Sequence, residues 1–190
     1  VAGAIETTPI SELRRQFEVN VFAHLDLSQR LLPLISDKII NISSMASFGN
    51  FPFISPYCAS KRALDILFNS LGNETKHKIN IVSIKPGVIA TPLWEKSIEE
   101  NQKYFSTNKD FEKEMIFMVN NAKSNGKNGL SVEKVVEVIA KADKSKKTKS
   151  SYTVGIDAKL AEIASHLPQE FINKLIRYKL KHLSETCLPC

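Results

Sequence analysis

Tyr57 and Lys61 stand four residues apart in the stretch SPYCASKRAL. Residues at positions i and i+4 lie on one face of a helix, so this spacing places a phenol near an ammonium group. A free phenol has a pKa of about 10, and a cation within about 4–6 Å favours the phenolate. A tyrosine with such a neighbour could take or give a proton near neutral pH.

Two other segments place polar residues where predicted strands end. KIINISSMAS leads into Ser43 and Ser44, and INIVSIKPGVIATP leads into Pro86, Gly87 and Thr91. In parallel sheets, ligands bind beyond the carboxyl ends of the strands. A serine hydroxyl beside the tyrosine could hydrogen-bond the oxygen that gains or loses the proton. No side chain can supply a hydride, whereas a nicotinamide cofactor can.

Each of these signals also has an ordinary structural explanation. A tyrosine and a lysine at this spacing more often belong to helix packing or to an exposed surface, and Pro-Gly after a strand is a common turn. Asn20 in FEVNVFAH is a poor helix former between apolar residues, and its side chain could bond locally or bend the helix. The occurrence of four such signals in a fixed order favours the catalytic interpretation.

Helical and strand patterns alternate along the chain. TPISELRRQFEVNVFAHLDLSQRLLPLIS predicts a long helix with Thr8 as N-cap and Pro9 at the first helical position. KIINISS, INIVSIKPG and SSYTVG indicate strands, and the first two are typical of strands buried on both faces. Helices are predicted at YCASKRALDILFNSLGNETKH and SVEKVVEVIAKA, the latter with Ser131 as N-cap. Its predicted apolar face comprises Val132, Val135, Val136 and Ile139. The pattern predicts an α/β layer fold with parallel strands and right-handed crossovers.

The rest of the chain is less regular. The stretch from Thr91 to Asn128 is predicted to be helical in part, and DAKLAEIASHLPQEFINKLIRYKLKHL to form one or two helices broken at Pro168. The basic, amphipathic FINKLIRYKL could touch a membrane surface, but packing on the sheet is the commoner role for such a helix.

Composition bounds the remaining function classes. A chain of 190 residues suggests one domain, 1–190. The net charge of +6 is concentrated in KADKSKKTKS, which we interpret as a solvated loop and not as a nucleic-acid site, because no arginine or aromatic residue accompanies the lysines. Cys58, Cys187 and Cys190 are too few for a disulfide framework, which predicts a reducing, cytoplasmic environment. No apolar run has the length of a membrane span.

These motifs together resemble the short-chain dehydrogenase/reductase family over nearly all the chain. FEVNVFAHLDLSQRLLPLI is similar to the family's helix with a catalytic asparagine, which falls on Asn20. IINISSMAS is similar to its serine strand, with Ser44 thirteen positions before Tyr57, and SPYCASKRAL to its Y-x-x-x-K helix. KPGVIATP resembles the P-G-x-[VI]-x-T segment that holds the nicotinamide. SPYCASK, PGVIATPLWEKS and YTVGIDAKL are most similar to the retinol and steroid dehydrogenases.

The resemblance implies an NAD- or NADP-dependent oxidoreductase that interconverts an alcohol and a ketone or aldehyde. Tyr57 would exchange the proton, Ser44 would hold the carbonyl oxygen, Lys61 would lower the tyrosine pKa and bind the ribose, and Asn20 would support a water relay. The implied catalytic residues are Asn20, Ser44, Tyr57 and Lys61. The implied cofactor-binding residues are Asn20, Tyr57, Lys61, Pro86, Gly87, Ile89 and Thr91. No metal is expected.

The resemblance also has departures. The opening VAGAIETTPI reads like the middle of a loop, and no glycine-rich phosphate loop is found among the seven glycines. We therefore expect the C-terminal part of a Rossmann-like, doubly wound parallel sheet whose first strands are missing, with only the nicotinamide half of the cofactor site. The choice between NAD and NADP stays open.

The resemblance finally suggests a substrate and partners. Residues 93–128, with Trp94, Tyr104 and Phe105, would form a lid over a lipophilic alcohol or ketone, unless these aromatics belong to the core. Helices 9–35 and 57–76 would form the interface of a homo-oligomer, and membrane contact is the less favoured alternative. A second hypothesis is a truncated, catalytically silent protein that acts only through this interaction surface.

Overall fold

Three parallel strands form the sheet of the computed structural model, which describes residues 2–75, 79–105 and 109–186, without the side chains of 103–105, 109 and 183–186. They are β1 (Lys38–Ile42), β2 (Asn80–Pro86) and β3 (Ser151–Val154), in the order β1-β2-β3. Ile42 is opposite Ile84 in one pair of strands, and Ile84 is opposite Tyr152 in the other. The predicted parallel α/β architecture is confirmed.

Eight α-helices surround these strands in the described part of the chain. They are α1 (Ile10–Phe17), α2 (Ala23–Leu31), α3 (Ser55–Glu74), α4 (Leu93–Phe105), α5 (Glu112–Asn128), α6 (Val132–Lys144), α7 (Ile156–Ala164) and α8 (Gln169–Thr186). Short 3-10 turns cover Leu32–Leu34, Met45–Phe48 and Lys109–Phe111. The predicted break at Pro168 is therefore found between α7 and α8, and the stretch after Thr91 forms α4 and α5.

The first helical region differs from the predicted single helix. α1 and α2 are separated by a π-helical segment, Glu18–Phe22, which accommodates one extra residue per turn. The predicted N-cap was wrong: Pro9 occupies the N-cap position with extended backbone angles, and the helix begins at Ile10. Thr8 does not cap the helix because its hydroxyl donates to the Ala4 carbonyl at 2.8 Å.

The two connections between strands place helices on opposite faces of the sheet. Side chains along a strand alternate between the faces. Ile84 packs in a cluster with Val135 of α6, whereas the adjacent Lys85 pairs with Asp65 of α3. The connection from β1 to β2 and the connection from β2 to β3 both lead to the next strand in the same direction across the sheet. Because their helices lie on opposite faces, the two crossovers have opposite handedness. The expectation of right-handed crossovers throughout is therefore wrong for one of them.

The two faces also differ in polarity. The α6 side has an apolar core that includes Val82, Ile84 and Ala142. The α3 side has four buried polar residues, Asn41, Ser43, Ser83 and Lys85. The prediction of strands buried on both faces holds for most of β2 but not for β1, where Ile42 is 43% exposed. Among the described residues β1 pairs with β2 alone, so it forms an edge of the sheet.

Helix α6 is less covered than its sequence suggests. Val135 of α6 is buried, but Val132 and Val136 are exposed, so only part of the predicted apolar face meets the core. In the ranges that the structure describes, no helix combines the length and the apolar character required to cross a bilayer.

Candidate functional site

Tyr57 lies in the first turn of α3, which begins at Ser55 with Pro56 just inside the helix. Proline suits this position because the first helical N–H groups have no intrahelical partner. Burial raises the pKa of the Tyr57 phenol, a hydrogen bond with the Ser44 hydroxyl lowers it, and the neighbouring Cys58 raises it, with a net upward shift. The structure therefore differs from the expected low pKa, because burial outweighs the stabilisation of the phenolate.

Ser44 is positioned by the chain turn that follows β1. Its Oγ accepts a hydrogen bond from the Ala46 N–H at 3.1 Å and caps the Met45–Phe48 turn. The Ser44 carbonyl accepts from the Ser47 hydroxyl at 2.8 Å and from the Ser47 N–H at 3.0 Å. These bonds fix the backbone and the hydroxyl oxygen of Ser44, which leaves the hydroxyl proton available for Tyr57.

Lys61 follows one helical turn after Tyr57. Its Nζ donates to the carbonyl of Ile42, the last residue of β1, at 3.1 Å, and it lies 5.9 Å from the centroid of the Tyr57 ring. Burial lowers the pKa of the Lys61 ammonium, and the Asp65 carboxylate raises it. The predicted proximity of the phenol and the ammonium is thus present in the structure, at the carboxyl end of β1.

Asn20 lies in the π-helical segment and reaches α3. Its Nδ2 donates to the Ser60 Oγ at 3.1 Å, and the Ser60 hydroxyl donates to the Tyr57 carbonyl at 2.8 Å. Ser60 has no exposed surface. Asn20 therefore contacts the turn that presents Tyr57, instead of bonding within its own helix. The π-helical turn was not predicted, although a poor helix former between apolar residues was its sequence signal.

The segment from Pro86 to Thr91 is held by backbone hydrogen bonds. The Gly87 N–H donates to the Val154 carbonyl at 2.8 Å. The Ala90 N–H donates to the Leu130 carbonyl at 2.9 Å, and Ile89 forms a parallel bridge with Leu130. The strand register places Pro86 at the same edge of the sheet as Ser44, because Ile42 is opposite Ile84.

Asp157 of α7 holds this segment through a contact that the sequence did not reveal. Its Oδ2 accepts from the Val88 N–H at 2.6 Å. A Cβ atom on Gly87 would collide with the Asp157 carboxylate, so only glycine fits at this position without displacement. The sequence signal for Asp157 is its place in GIDA, directly after β3. Parallel strands end at the same edge of the sheet, so residues that follow β3 lie near those that follow β2.

A cleft of about 220 Å³ lies beside Thr91, between the start of α4 and the end of α5. Trp94 of the predicted lid is half-buried, and its Nε1 donates to the Ile89 carbonyl at 2.7 Å. Trp94 thus supports the Pro86–Thr91 segment. The side chains of Tyr104 and Phe105 lie outside the described residues.

The donors and acceptors at this edge suit a nicotinamide riboside. The Lys61 ammonium has three N–H donors, of which the hydrogen bond to Ile42 uses one. Hydroxyl groups on Ser44, Tyr57 and Thr91 add further donors near the ends of β1 and β2. Ribose hydroxyls and a carboxamide require groups of this kind.

Comparisons with known proteins identify the family of the chain. A family model described as short chain dehydrogenase matches residues 1–102. The NADPH-dependent 3-dehydrocapnine reductase of Ornithobacterium rhinotracheale is 33% identical over 193 residues, which cover 96% of this chain and 68% of the relative.

Two solved structures have the same fold. A short chain dehydrogenase from Burkholderia cenocepacia in complex with NADP matches with a TM-score of 0.66 at 17% identity. The match covers 92% of this chain and 63% of the Burkholderia chain. A short chain dehydrogenase/reductase from Burkholderia phymatum in complex with NAD has a TM-score of 0.69 at 15% identity, with the same coverage.

The chain spans about two thirds of the length of these proteins. The family model matches more than half of the 190 residues, and the curated relative is 33% identical. The resemblance inferred from the motifs is therefore confirmed, and the chain belongs to the short-chain dehydrogenase/reductase family of oxidoreductases, whose members use NAD or NADP.

Proposed function

We propose that this chain carries the catalytic part of an NAD(P)-dependent oxidoreductase that interconverts an alcohol and a ketone or aldehyde. The observation that carries the proposal is the position of the Lys61 ammonium, 5.9 Å from the Tyr57 ring and hydrogen-bonded to the carbonyl of Ile42, two residues before Ser44. These three groups lie at the carboxyl end of β1, where ligands bind in parallel sheets.

The nicotinamide half of the cofactor would be held at this edge. When bound, a nicotinamide exchanges a hydride with the carbonyl carbon of the substrate. Lys61, Tyr57 and Asn20 would lie on the ribose side. The segment that would hold the carboxamide comprises Pro86, Gly87, Ile89 and Thr91. The relative from O. rhinotracheale is named for NADPH, which supports that cofactor without excluding NADH.

Tyr57 would move the proton. Its raised pKa keeps the phenol protonated at neutral pH, so Tyr57 is prepared to donate a proton to a carbonyl oxygen during reduction. The Ser44 hydroxyl would hold the same oxygen, because its own oxygen already accepts from Ala46 and its proton remains to be donated. The lowered pKa of Lys61 brings its proton exchange closer to the working pH. A protonated Tyr57 is the form that reduction of a carbonyl requires.

The substrate would be lipophilic. Helices α4 and α5 follow Thr91 and carry exposed apolar side chains, among them Leu93, Ile116 and Phe117. Apolar surface next to a polar reaction centre is typical of pockets that bind small apolar molecules. Residues 93–128 would form the lid over this substrate.

The chain would assemble with itself through the helices near its start. Phe22, Leu27 and Ile66 are exposed apolar residues within the two predicted interface ranges, 9–35 and 57–76. Such residues on neighbouring helices favour a homo-oligomer. A cytoplasmic location, and membrane contact as the less favoured alternative, stay predictions.

The second candidate is a catalytically silent protein that acts through its interaction surface alone. The open edge of β1, where Ile42 is 43% exposed, favours this candidate, because unpaired strand edges associate with other chains.

A cofactor titration separates the two candidates. Trp94 is the one tryptophan in the sequence, and its Nε1 donates a hydrogen bond to the Ile89 carbonyl in the proposed cofactor segment. Binding of NADH or NADPH should therefore change the tryptophan fluorescence. If neither cofactor at millimolar concentration changes the fluorescence or the melting temperature, this chain alone is not an active enzyme.

Tyr57→Phe then tests the proposed chemistry. The variant should retain cofactor binding and lose turnover of a lipophilic ketone by a factor of about 10² or more, because the proton donor is removed. Tyr152→Phe is the matched control, since Tyr152 lies on β3 and accepts from the Lys149 N–H. Full turnover by Tyr57→Phe would refute the role of Tyr57.

A further inference from the structure

A buried pair of opposite charges connects α3 to β2. The Lys85 Nζ lies 2.9 Å from the Asp65 Oδ2, and the side chains are only 11% and 3% exposed. The Lys85 ammonium also lies 4.5 Å from the centroid of the Phe48 ring, on the turn that follows Ser44. Both charges are thus removed from solvent between the sheet and the helix.

Lys85 is the charge that compensates Asp65. Among the described residues, the Lys85 ammonium is the one donor within hydrogen-bond distance of the Asp65 carboxylate. The Asn41 Nδ2 and the Oγ atoms of Ser43 and Ser83, which share this side of the sheet, have no hydrogen-bond partner in the described part of the chain. The negative charge of Asp65 is therefore compensated mainly by Lys85, and its field acts on nearby cations through a poorly screening interior.

The pair occupies a position between the proposed catalytic residues and the cofactor segment. Asp65 follows Lys61 by four residues and Tyr57 by eight, so all three lie along one side of α3. Lys85 directly precedes Pro86, where the proposed nicotinamide segment begins. The ion pair thus joins the helix that presents Tyr57 to the strand that leads into this segment.

Stability alone does not account for such a pair. Buried ion pairs are often no more stabilising than apolar residues of similar volume, because two charges must leave water. The apolar cluster on the α6 side shows that these strands can pack an apolar face. A charge pair beneath the proposed catalytic residues therefore suggests a role in the site.

We propose that Asp65 and Lys85 are positioning residues: their ion pair holds α3 against the end of β2, and the Asp65 carboxylate stabilises the ammonium form of Lys61 one helical turn away. The charged and titratable groups that face Lys61 are Tyr57 and Asp65 on its own helix, with Lys85 reaching Asp65 from β2. The inference rests on the proposed function of Lys61, but its test measures Lys61 directly and requires no cofactor.

The experiment measures how fast acetic anhydride modifies each lysine of the 190-residue chain. Only the free amine reacts, so the rate followed by mass spectrometry between about pH 6 and pH 11 gives both the midpoint and the plateau for Lys61. The midpoint reports the charge on Lys61, and the plateau reports its accessibility. The variants are Asp65→Asn, the double variant Asp65→Leu/Lys85→Met, and the control Glu74→Gln on the exposed end of α3.

Asp65→Asn should lower the Lys61 midpoint and raise its acetylation rate at pH 8 about threefold relative to exposed lysines, because the carboxylate that favours the ammonium is lost. It should also lower the melting temperature, because Lys85 is left buried without its partner. The double variant should recover the melting temperature and keep the lowered midpoint. Glu74→Gln should change neither value.

Two results would overturn the inference. An unchanged Lys61 midpoint in a folded Asp65→Asn or double variant would show that Asp65 does not act on Lys61. A double variant that recovers both the melting temperature and the midpoint would show a purely structural role. If Asp65→Asn does not fold, the double variant decides the question, because it leaves no unpaired buried charge.

Discussion

At the level of single residues, Lys61 combines a half-buried ammonium with a helix position that faces Tyr57. Burial lowers its pKa, and Asp65 opposes this effect. The pKa of Tyr57 is shifted in the opposite direction, because burial raises it. Both shifts favour the neutral form of the group, so this pair differs from a phenolate held by an ammonium ion. The residue types and spacing predicted proximity, but the direction of the tyrosine shift depends on burial.

The lowered pKa of Lys61 has a consequence for stability. In the unfolded chain, Lys61 keeps its proton to a higher pH than it does in the folded chain. Unfolding therefore takes up a proton at pH values between the pKa of Lys61 in the folded chain and its unfolded value of about 10.4. Stability therefore rises with pH across this window. Urea unfolding at several pH values measures this effect. The unfolding free energy of the native protein should increase relative to that of Lys61→Met as the pH rises towards about 10.4.

Lys159, exposed on α7, supplies the control for this measurement. Lys159→Met accounts for the loss of one positive charge and the gain of a methionine at an exposed position. A difference between native protein and Lys61→Met that is constant with pH would contradict the assignment of a lowered pKa to Lys61.

At the level of elements, the Pro86–Thr91 segment is held by contacts from three parts of the chain. Val154 ends β3, Asp157 lies in the first turn of α7, and Leu130 precedes α6. Pro-Gly after a strand predicted a turn and, by resemblance, a cofactor segment. The acceptor for the Val88 N–H lies 69 residues away, so only the assembled sheet shows it. The segment is thus fixed by hydrogen bonds to residues that are distant in the sequence.

Gly87→Ala should distort this segment. The added Cβ meets the Asp157 carboxylate, so we expect a loss of about 1–3 kcal/mol in unfolding free energy and weaker cofactor binding. Gly126→Ala in α5 is the matched control, since its Cβ would have ordinary contacts at 3.6 Å with Trp94.

The control should be neutral or more stable, because alanine favours a helix over glycine by about 1 kcal/mol. Urea unfolding of the two variants measures both effects. Equal stability of Gly87→Ala and the native protein would show that the segment can shift at little cost.

At the level of the whole molecule, three parallel strands carry the site, and the chain spans about two thirds of the length of its relatives. The open edge of β1 and the exposed apolar residues of α2 and α3 are the surfaces on which assembly would depend. The apolar periodicity of the helices predicted their existence, and the family resemblance suggested which of them form the interface.

Leu27→Glu should weaken assembly, because it places a charge on the proposed interface where a 58% exposed leucine lies. Sedimentation measurements should show a smaller species than for the native protein. Leu175→Glu on α8 is the control, since Leu175 is also exposed but lies outside the proposed interface. An equal effect of both variants would contradict an interface on α2.

The sequence by itself determined the parallel α/β class, the family and the position of Tyr57 and Lys61 on one face of a helix. These features depend on local periodicity and on the order of motifs along the chain. The tertiary structure decided the π-helical turn around Asn20, the opposite hands of the two crossovers, the role of Asp157 and the buried pair of Asp65 with Lys85. It also decided that the pKa of Tyr57 is raised. The physical reason is common to all of these: burial and contacts between distant segments arise only when the sheet and its helices assemble.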